Sequence, residues 1–221
     1  MTKRKIDLER RAEIARERKA RTRANILASA FDIFGEEYGL YSRIEDIAEK
    51  AGITRQTLYH HFTGIEELRE ALTYEVTHDF LTQVSTTVAR LTDPREHASV
   101  AIRMYLERAR GDRRWAWSMI NLSASGIIFG AETYARAEAT VQLGMDAGEL
   151  KLKYSALGRD MVLGTALAAL TTMLKDDPGE DYPSLVAEHI LIGLSVDPEA
   201  AREIANRELP PLVGISELDE L

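Results

Sequence analysis

The sequence predicts an all-α protein, and three observations carry that prediction. Apolar residues recur at helical spacing along the whole chain, and no segment alternates with the two-residue period of a strand. Breakers such as Gly52, Asp93-Pro94, Gly111-Asp112, Gly148 and Asp177-Pro178-Gly179 divide the chain into helix-length segments. The 221 residues, 45% of them apolar, suffice for one large domain or two small ones around a sizeable core. The chain has no cysteine, which excludes disulfides, thiolate metal sites, iron–sulfur clusters and cysteine nucleophiles.

The elements follow in order. Leu27, Ala30, Phe31 and Phe34 line one stripe of a first helix. Ser42-Arg43-Ile44-Glu45 has the capping-box pattern, with the Ser42 hydroxyl accepting from the Glu45 N–H, and starts a short helix with Ile44, Ile47, Ala48 and Ala51 on its apolar face. Gly52 ends it, and Thr54 caps the next helix, Arg55 to Phe62. Leu68, Leu72, Val76, Phe80, Val84 and Val88 mark a long helix over about Glu66 to Arg90. Asp93 and Pro94 supply an N-cap and a first helical residue, and Gly111-Asp112 breaks the chain again before a helix from Arg113 to Ser125. Helices follow at Ala131–Ala147, Ser155–Leu174, Ser184–Leu194 and Pro198–Leu209, the last stopped by Pro210-Pro211.

No secretory apolar region follows the basic N-terminus, and the longest uncharged run, Trp115 to Ala131, has 17 residues where a bilayer needs about 20. A cytoplasmic protein without a membrane partner is expected.

Charge is unevenly spread. The chain has a formal net charge of −8, yet residues 1–23 carry ten Lys/Arg against four acids, a net of +6 that leaves −14 for the rest. Such asymmetry reads as a basic arm on an acidic body, or as a solvated helical extension with internal ion pairs.

The unit from Ser42 to Phe62 has the helix-turn-helix layout, which places its second helix in the DNA major groove. Ile47, Ala48, Ile53 and Leu58 have the spacing that locks two such helices together, while Arg55, Gln56, Thr57, Tyr59 and His60 offer hydrogen-bonding groups for base edges and phosphates. A generic helical hairpin fits the spacing as well. Adjacent His60 and His61 point about 100° apart on a helix, so they make a poor chelating pair and no metal is expected. No phosphate loop, nucleophile elbow or paired acidic motif is present, so no catalytic residue or cofactor is assigned.

Arg23 to Glu70 resembles the N-terminal domain of TetR-type (tetracycline-repressor-like) transcriptional regulators. The resemblance rests on Ile26-Leu27-x-x-Ala30-x-x-x-Phe34, then Ile44-x-x-Ile47-Ala48-x-x-Ala51-Gly52-Ile53-Thr54, Thr57-Leu58-Tyr59-x-His61-Phe62 and Glu66-Glu67-Leu68. It implies a three-helix helix-turn-helix domain over 23–68 and a C-terminal helical ligand-binding and dimerisation domain over 69–221, preceded by the basic arm or helix extension that the charge marks over 1–22. By position, Thr54, Arg55, Gln56, Thr57, Tyr59, His60 and His61 would face DNA, with Ser42 and Arg43 approaching the backbone. Two departures stand out: Ile65 occupies the place where the family commonly has a phosphate-contacting Lys, and Tyr38-Gly39 reverses the usual Gly-Tyr order. The basic arm is a candidate substitute for the missing contact.

In the C-terminal region, Met104, Tyr105, Trp115, Trp117, Met119, Asn121 and Phe129 form an aromatic- and Met-rich group, which reads as core or as a small-molecule pocket. Met104, Trp117, Asn121 and Phe129, with Met161 from a later helix, are the candidate ligand residues. The small-residue helix Ser155–Leu174 and the stripe Leu185, Val186, Ile190 and Leu194 are the candidate dimer interface, which the resemblance implies is a four-helix bundle across a two-fold. The expected function is a homodimeric repressor that leaves double-stranded operator DNA on binding a small hydrophobic effector. The alternatives are a ligand-independent or architectural DNA-binding protein, and a helical enzyme.

Overall fold

The structure, a computed structural model, describes residues 2–124 and 126–214, and every α or 3-10 element among them is helical. The order is α1 (Thr2–Phe34), a 3-10 turn (Gly39–Tyr41), α2 (Ile44–Lys50), α3 (Arg55–Tyr59), α4 (Ile65–Val88), α5 (Pro94–Gly111), α6 (Arg113–Ser123), α7 (Gly130–Asp146), α8 (Ser155–Lys175), α9 (Tyr182–Gly193) and α10 (Pro198–Ala205). The all-helical fold class therefore holds.

Of the arm or helix extension expected over residues 1–22, the described residues 2–22 have the form of a helix extension. It is the first two-thirds of α1, which runs without a break through the expected boundary at residues 22 and 23. α1, α2 and α3, with the start of α4, form a head around Ile26, Phe34, Ile47, Leu58, Phe62 and Leu68, all buried. α4 crosses the second expected boundary, so it belongs to the head at one end and to the body at the other. α5 runs through the middle of the body and packs against α4 and α6–α10.

Several ends differ from the sequence expectation. α2 is capped at Arg43 rather than Ser42: the Arg43 backbone N–H donates to Asp46 Oδ2 at 2.7 Å, while the Ser42 N–H already donates to Gly39 O at 3.1 Å. α3 stops at Tyr59, before Phe62, and α6 ends at Ser123, the expected end at Ser125 lying outside the described residues. α10 ends at Ala205, because the following chain turns away to lie on α4 instead of continuing to Leu209. There the Gln83 amide donates to Val213 O at 2.8 Å, and the Val213 N–H donates to Thr87 Oγ1 at 3.0 Å.

α4 buries a broader face than one stripe. Thr73, Thr77, Leu81 and Thr87 are buried beside Leu68, Leu72, Phe80 and Val84, whereas Val76 and Val88 are only partly buried. The threonines satisfy their hydroxyls on carbonyls one turn back, Thr77 Oγ1 on Thr73 O at 2.7 Å for example. That leaves their methyl groups to pack.

Head and body meet at the C-terminal end of α1. Asn121 of α6 is buried, and its amide donates to Phe34 O at 2.7 Å, a carbonyl that the end of a helix leaves without a partner, and to Glu36 O at 2.8 Å, which also accepts from the Gly39 N–H at 3.0 Å. Arg114 of α6 pairs with Asp32 of α1 at 2.8 Å. Gly39 lies so close to the end of α1 that a Cβ there would collide with Ile33 O and the Phe34 Cα, which accounts for glycine at this place in the Tyr38-Gly39 order. No described helix is long and apolar enough to cross a membrane.

Candidate nucleic-acid interface and ligand cavity

The turn between α2 and α3 is built from short-range bonds. Gly52 takes φ +67°, the left-handed conformation that a side chain would strain, and so lets the chain reverse after α2. Thr54 then caps α3: its Oγ1 accepts from the Thr57 N–H at 3.1 Å and lies 2.9 Å from the Thr57 hydroxyl. Leu58 is fully buried and fixes the rotation of α3 on the head. Asn25 of α1 holds the end of α2 by donating to Ala51 O at 2.8 Å.

That rotation leaves Arg55, Gln56, Tyr59 and His60 exposed together. Arg55 is held at both ends, paired with Glu45 of α2 at 2.8 Å and donating to the Tyr59 hydroxyl at 3.3 Å, one turn along. The Tyr59 bond and the Glu45 charge raise its pKa further, so it is a permanent cation on this face. Long side chains preset in this way lose less freedom when they meet a groove.

The other expected DNA contacts divide. Arg43 is exposed beside the start of α2, and Ser42 is half-buried in the 3-10 turn. Thr54 and Thr57 are engaged with each other in the cap. His61 lies beyond the end of α3 and is half-buried, turned from the Arg55–Tyr59 face toward α1. Burial and the nearby charges of Lys19, Arg23 and His60 lower its pKa, so it is neutral at pH 7. Ile65 opens α4 half-buried, and Glu67 takes the capping role there by accepting from the Thr63 N–H at 2.6 Å and its hydroxyl at 2.7 Å.

The body holds a small apolar cavity of about 80 Å³ between α4, α5, α7 and α8. Leu81, Val84, Ile102, Phe129 and Leu163 are among its walls, and Arg136 and Thr140 belong to its α7 side. Its inner polar group is Tyr105, whose hydroxyl lies 3.3 Å from Thr133 Oγ1 and whose pKa burial pushes up to about 12. It therefore stays protonated at neutral pH and can donate.

Of the five residues expected to line a ligand site, the structure brings only Phe129 to this cavity. Met104 points instead toward the C-terminal strap beside Leu209 and Leu212. Asn121 is committed to the end of α1, and Trp117 packs half-buried against the core. Met161 lies against Gly193 at the seam between α8 and α9. Tyr105, Thr133 and Arg136, which are not among those five, line the cavity instead. Tyr105 was within reach: Ala98, Ala101 or Ile102, and Tyr105 recur at i, i+3 or i+4, and i+7 on α5, one residue out of phase with Met104.

A second, larger cleft of about 770 Å³ separates α1 and α4 from the start of α7, and Phe129 lines it too. Phe129 is a non-glycine residue at φ 60°, with its N–H donating to Ser123 Oγ at 3.0 Å. Across the cleft, His78 of α4 meets Glu132 of α7 at 2.9 Å and stacks on Tyr74.

Comparison with known proteins places this geometry among regulators. Residues 26–72 match the family described as bacterial regulatory proteins, tetR family, and residues 93–207 match the tetracyclin repressor-like C-terminal domain. No curated protein matches the chain. Among solved structures, RolR in complex with resorcinol is similar with a TM-score of 0.73 at 24% identity, over 89% of this chain and 99% of that one. The transcriptional regulator FadR from Bacillus subtilis in complex with stearoyl-CoA is similar with a TM-score of 0.59 at 20% identity, over 77% and 96%. SmeT, the repressor of the Stenotrophomonas maltophilia multidrug efflux pump SmeDEF, gives 0.59 at 20% identity, over 87% and 97%.

Proposed function

The chain belongs to the TetR family of bacterial regulatory proteins, and from that premise we propose that it is a cytoplasmic homodimeric repressor whose α3 reads operator DNA and whose body senses a small, largely apolar effector. The observation that carries this reading is the exposed row Arg55, Gln56, Tyr59 and His60, preset on a helix that Thr54 caps and Leu58 anchors. Arg and Gln are the side chains that pair in two places with guanine and adenine edges in the major groove.

The dimer face we assign to the outer sides of α8 and α9. Leu157 and Leu185 are 51% and 43% exposed there, and Gly164 has open space where a Cβ would stand, which permits close approach of a second backbone. Val186, Ile190 and Leu194 are already buried within the protomer, so of the expected α9 stripe only Leu185 remains for a partner. Two such protomers would set their α3 helices about 34–36 Å apart on one face of a duplex.

For the effector, the cavity offers apolar walls and the Tyr105 hydroxyl, while the guanidinium of Arg136 on its α7 side is paired with Glu132 at 2.9 Å. A small aromatic with one or two hydroxyls suits those groups, and RolR, the similar structure, was solved with resorcinol. Effector release of DNA follows if the ligand binds better to a dimer whose α3 spacing does not fit the operator. The volume of about 80 Å³ also favours a second reading, a DNA-binding regulator without an effector.

A mobility-shift titration with the DNA upstream of its own gene, at fixed salt, tests the proposal. Wild type is expected to shift a specific fragment, Arg55→Ala and Tyr59→Ala to lose it, and resorcinol or a related phenol to release it. Undiminished binding by both variants overturns the α3 assignment. Release by no phenol or other small apolar probe leaves the effector-free reading.

A further inference from the structure

Beyond the N-terminal two-thirds of α1, the helix-turn-helix head is acidic. Residues 24–72 contain four Lys/Arg (Arg43, Lys50, Arg55, Arg69) and nine Asp/Glu, a net of −5. Two of those cations are occupied, Lys50 with Asp32 at 3.4 Å and Arg55 with Glu45 at 2.8 Å, and α4 opens with Glu66 and Glu67. Affinity for a duplex comes largely from cations that displace counterions from phosphates. A head of this charge needs that attraction from elsewhere.

α1 has the direction to provide it. Its C-terminal end is fastened to the body through Asn121. Eleven residues back, about 16 Å along the axis, the Arg23 guanidinium lies over the Phe62 ring at 4.5 Å, just beyond the end of α3. The helix then continues for another 21 residues, Thr2 to Thr22, so it runs away from the body and past the recognition helix by about 30 Å. All residues from Glu9 to Arg21 are exposed.

Its acids fall on one line and its cations cover the rest of the circumference, with Arg10 and Arg16 each three residues from Glu13 and Arg21 four from Glu17. Glu9, Glu13 and Glu17 fall on one line at i, i+4 and i+8. Arg11 and Arg18, seven residues apart, lie on the opposite side, and Arg16, Lys19 and Arg23 continue the line that Ala30 and Phe34 turn toward the head. The depressed pKa of His61 records the closeness of Lys19 and Arg23 to the end of α3. The match to the family's N-terminal domain starts at residue 26, so this extension lies outside it.

We propose that residues 9–23 of α1 are a second DNA-binding element, a rigid basic rod that lies along the phosphates flanking the groove entered by α3 and supplies the attraction the acidic head lacks. The proposal rests on the DNA-binding reading of α3. The rod contacts phosphates and reads no sequence, so it strengthens specific and nonspecific binding by similar factors.

The test measures full-length protein on a duplex selected by the wild type from a random pool, across a salt series. A helix-preserving variant carries Arg10, Arg11, Arg16, Arg18, Lys19 and Arg21 all changed to Gln. Its log K against log salt slope is expected to flatten by about two units or more per dimer, with affinity down at least about tenfold and hydroxyl-radical protection lost beside each half-site. Its melting temperature and its preference between specific and random duplex are expected to be unchanged. The companion Glu9→Gln, Glu13→Gln, Glu17→Gln variant is expected to bind more tightly.

An unchanged slope in the first variant, while Arg55→Ala abolishes specific binding, overturns the rod and leaves α3 standing. Weakening by the acid-line variant equal to that of the cation variant overturns it as well, because helix integrity would then matter rather than charge. If the pool yields no duplex for the wild type, both readings fall.

Discussion

The head and the body place their candidate sites by opposite means. In the head, the partners that set Arg55, Thr54 and Thr57 all lie within ten residues along the chain. In the body, the cavity is closed by side chains from Leu81 to Ala166, on four helices. A site made from local bonds keeps its geometry as long as its one small core holds. A site assembled from distant helices changes whenever any of them shifts, which is the property a sensor needs. The head is thus built as a rigid reader and the body as an adjustable receiver, joined through α4 and the Asn121 contact.

The sharpest way to break this division is Leu58→Ala. Leu58 is fully buried in the small core of the head, and removing it is expected to cost about 2–5 kcal/mol there. Far-UV unfolding should then show an early head transition, with DNA binding lost. A phenol-binding isotherm of the body should stay within about twofold of wild type. Loss of both activities together would mean that head and body unfold as one unit.

The same contrast governs what the sequence reveals. Gly52, the Thr54 cap and the Asp93-Pro94 start of α5 are each decided by a few neighbouring residues, and all three stand as read. The α2 cap lies one residue past Ser42 because a nearby turn takes the Ser42 N–H. The end of α10 falls short of Leu209 because bonds from Gln83 and Thr87, more than a hundred residues away, hold the tail on α4. Which residues line the cavity depends on how each long helix is rotated. On α5 an error of one residue, about 100°, exchanges Tyr105 for Met104. Asn121 illustrates the same limit: a lone buried amide among aromatics reads as a ligand handle until the carbonyls of α1 are seen beside it.

Asn121→Ala probes the joint itself. It leaves Phe34 O short of a donor in a buried place, an expected cost of about 1–3 kcal/mol. The reader and the receiver should each remain intact, so DNA binding by the variant persists but release by effector weakens, because the Arg114–Asp32 pair then holds the end of α1 to α6 without the Asn121 bonds. Mobility shifts with and without a phenol that releases the wild type give both numbers. Unchanged release would move the coupling to α4 alone.

The smallest expected effect is also the one that connects the reader to its extension. His61 is held below its ordinary pKa by burial and by Lys19, Arg23 and His60, whereas the unfolded chain binds a proton there near pH 6.5. Folding therefore excludes a proton: the stabilisation is whole above pH 6.5 and is lost as the pH falls toward the lower folded value. The head transition should melt earlier at pH 5.5 than at pH 7.5, and the part of that shift owed to His61 should vanish in His61→Gln. Lys19→Gln removes one of the repelling charges and should shrink the same shift without abolishing it. If Lys19→Gln leaves the shift whole, Lys19 does not stand beside α3 in solution, and the rod loses its alignment with the recognition helix.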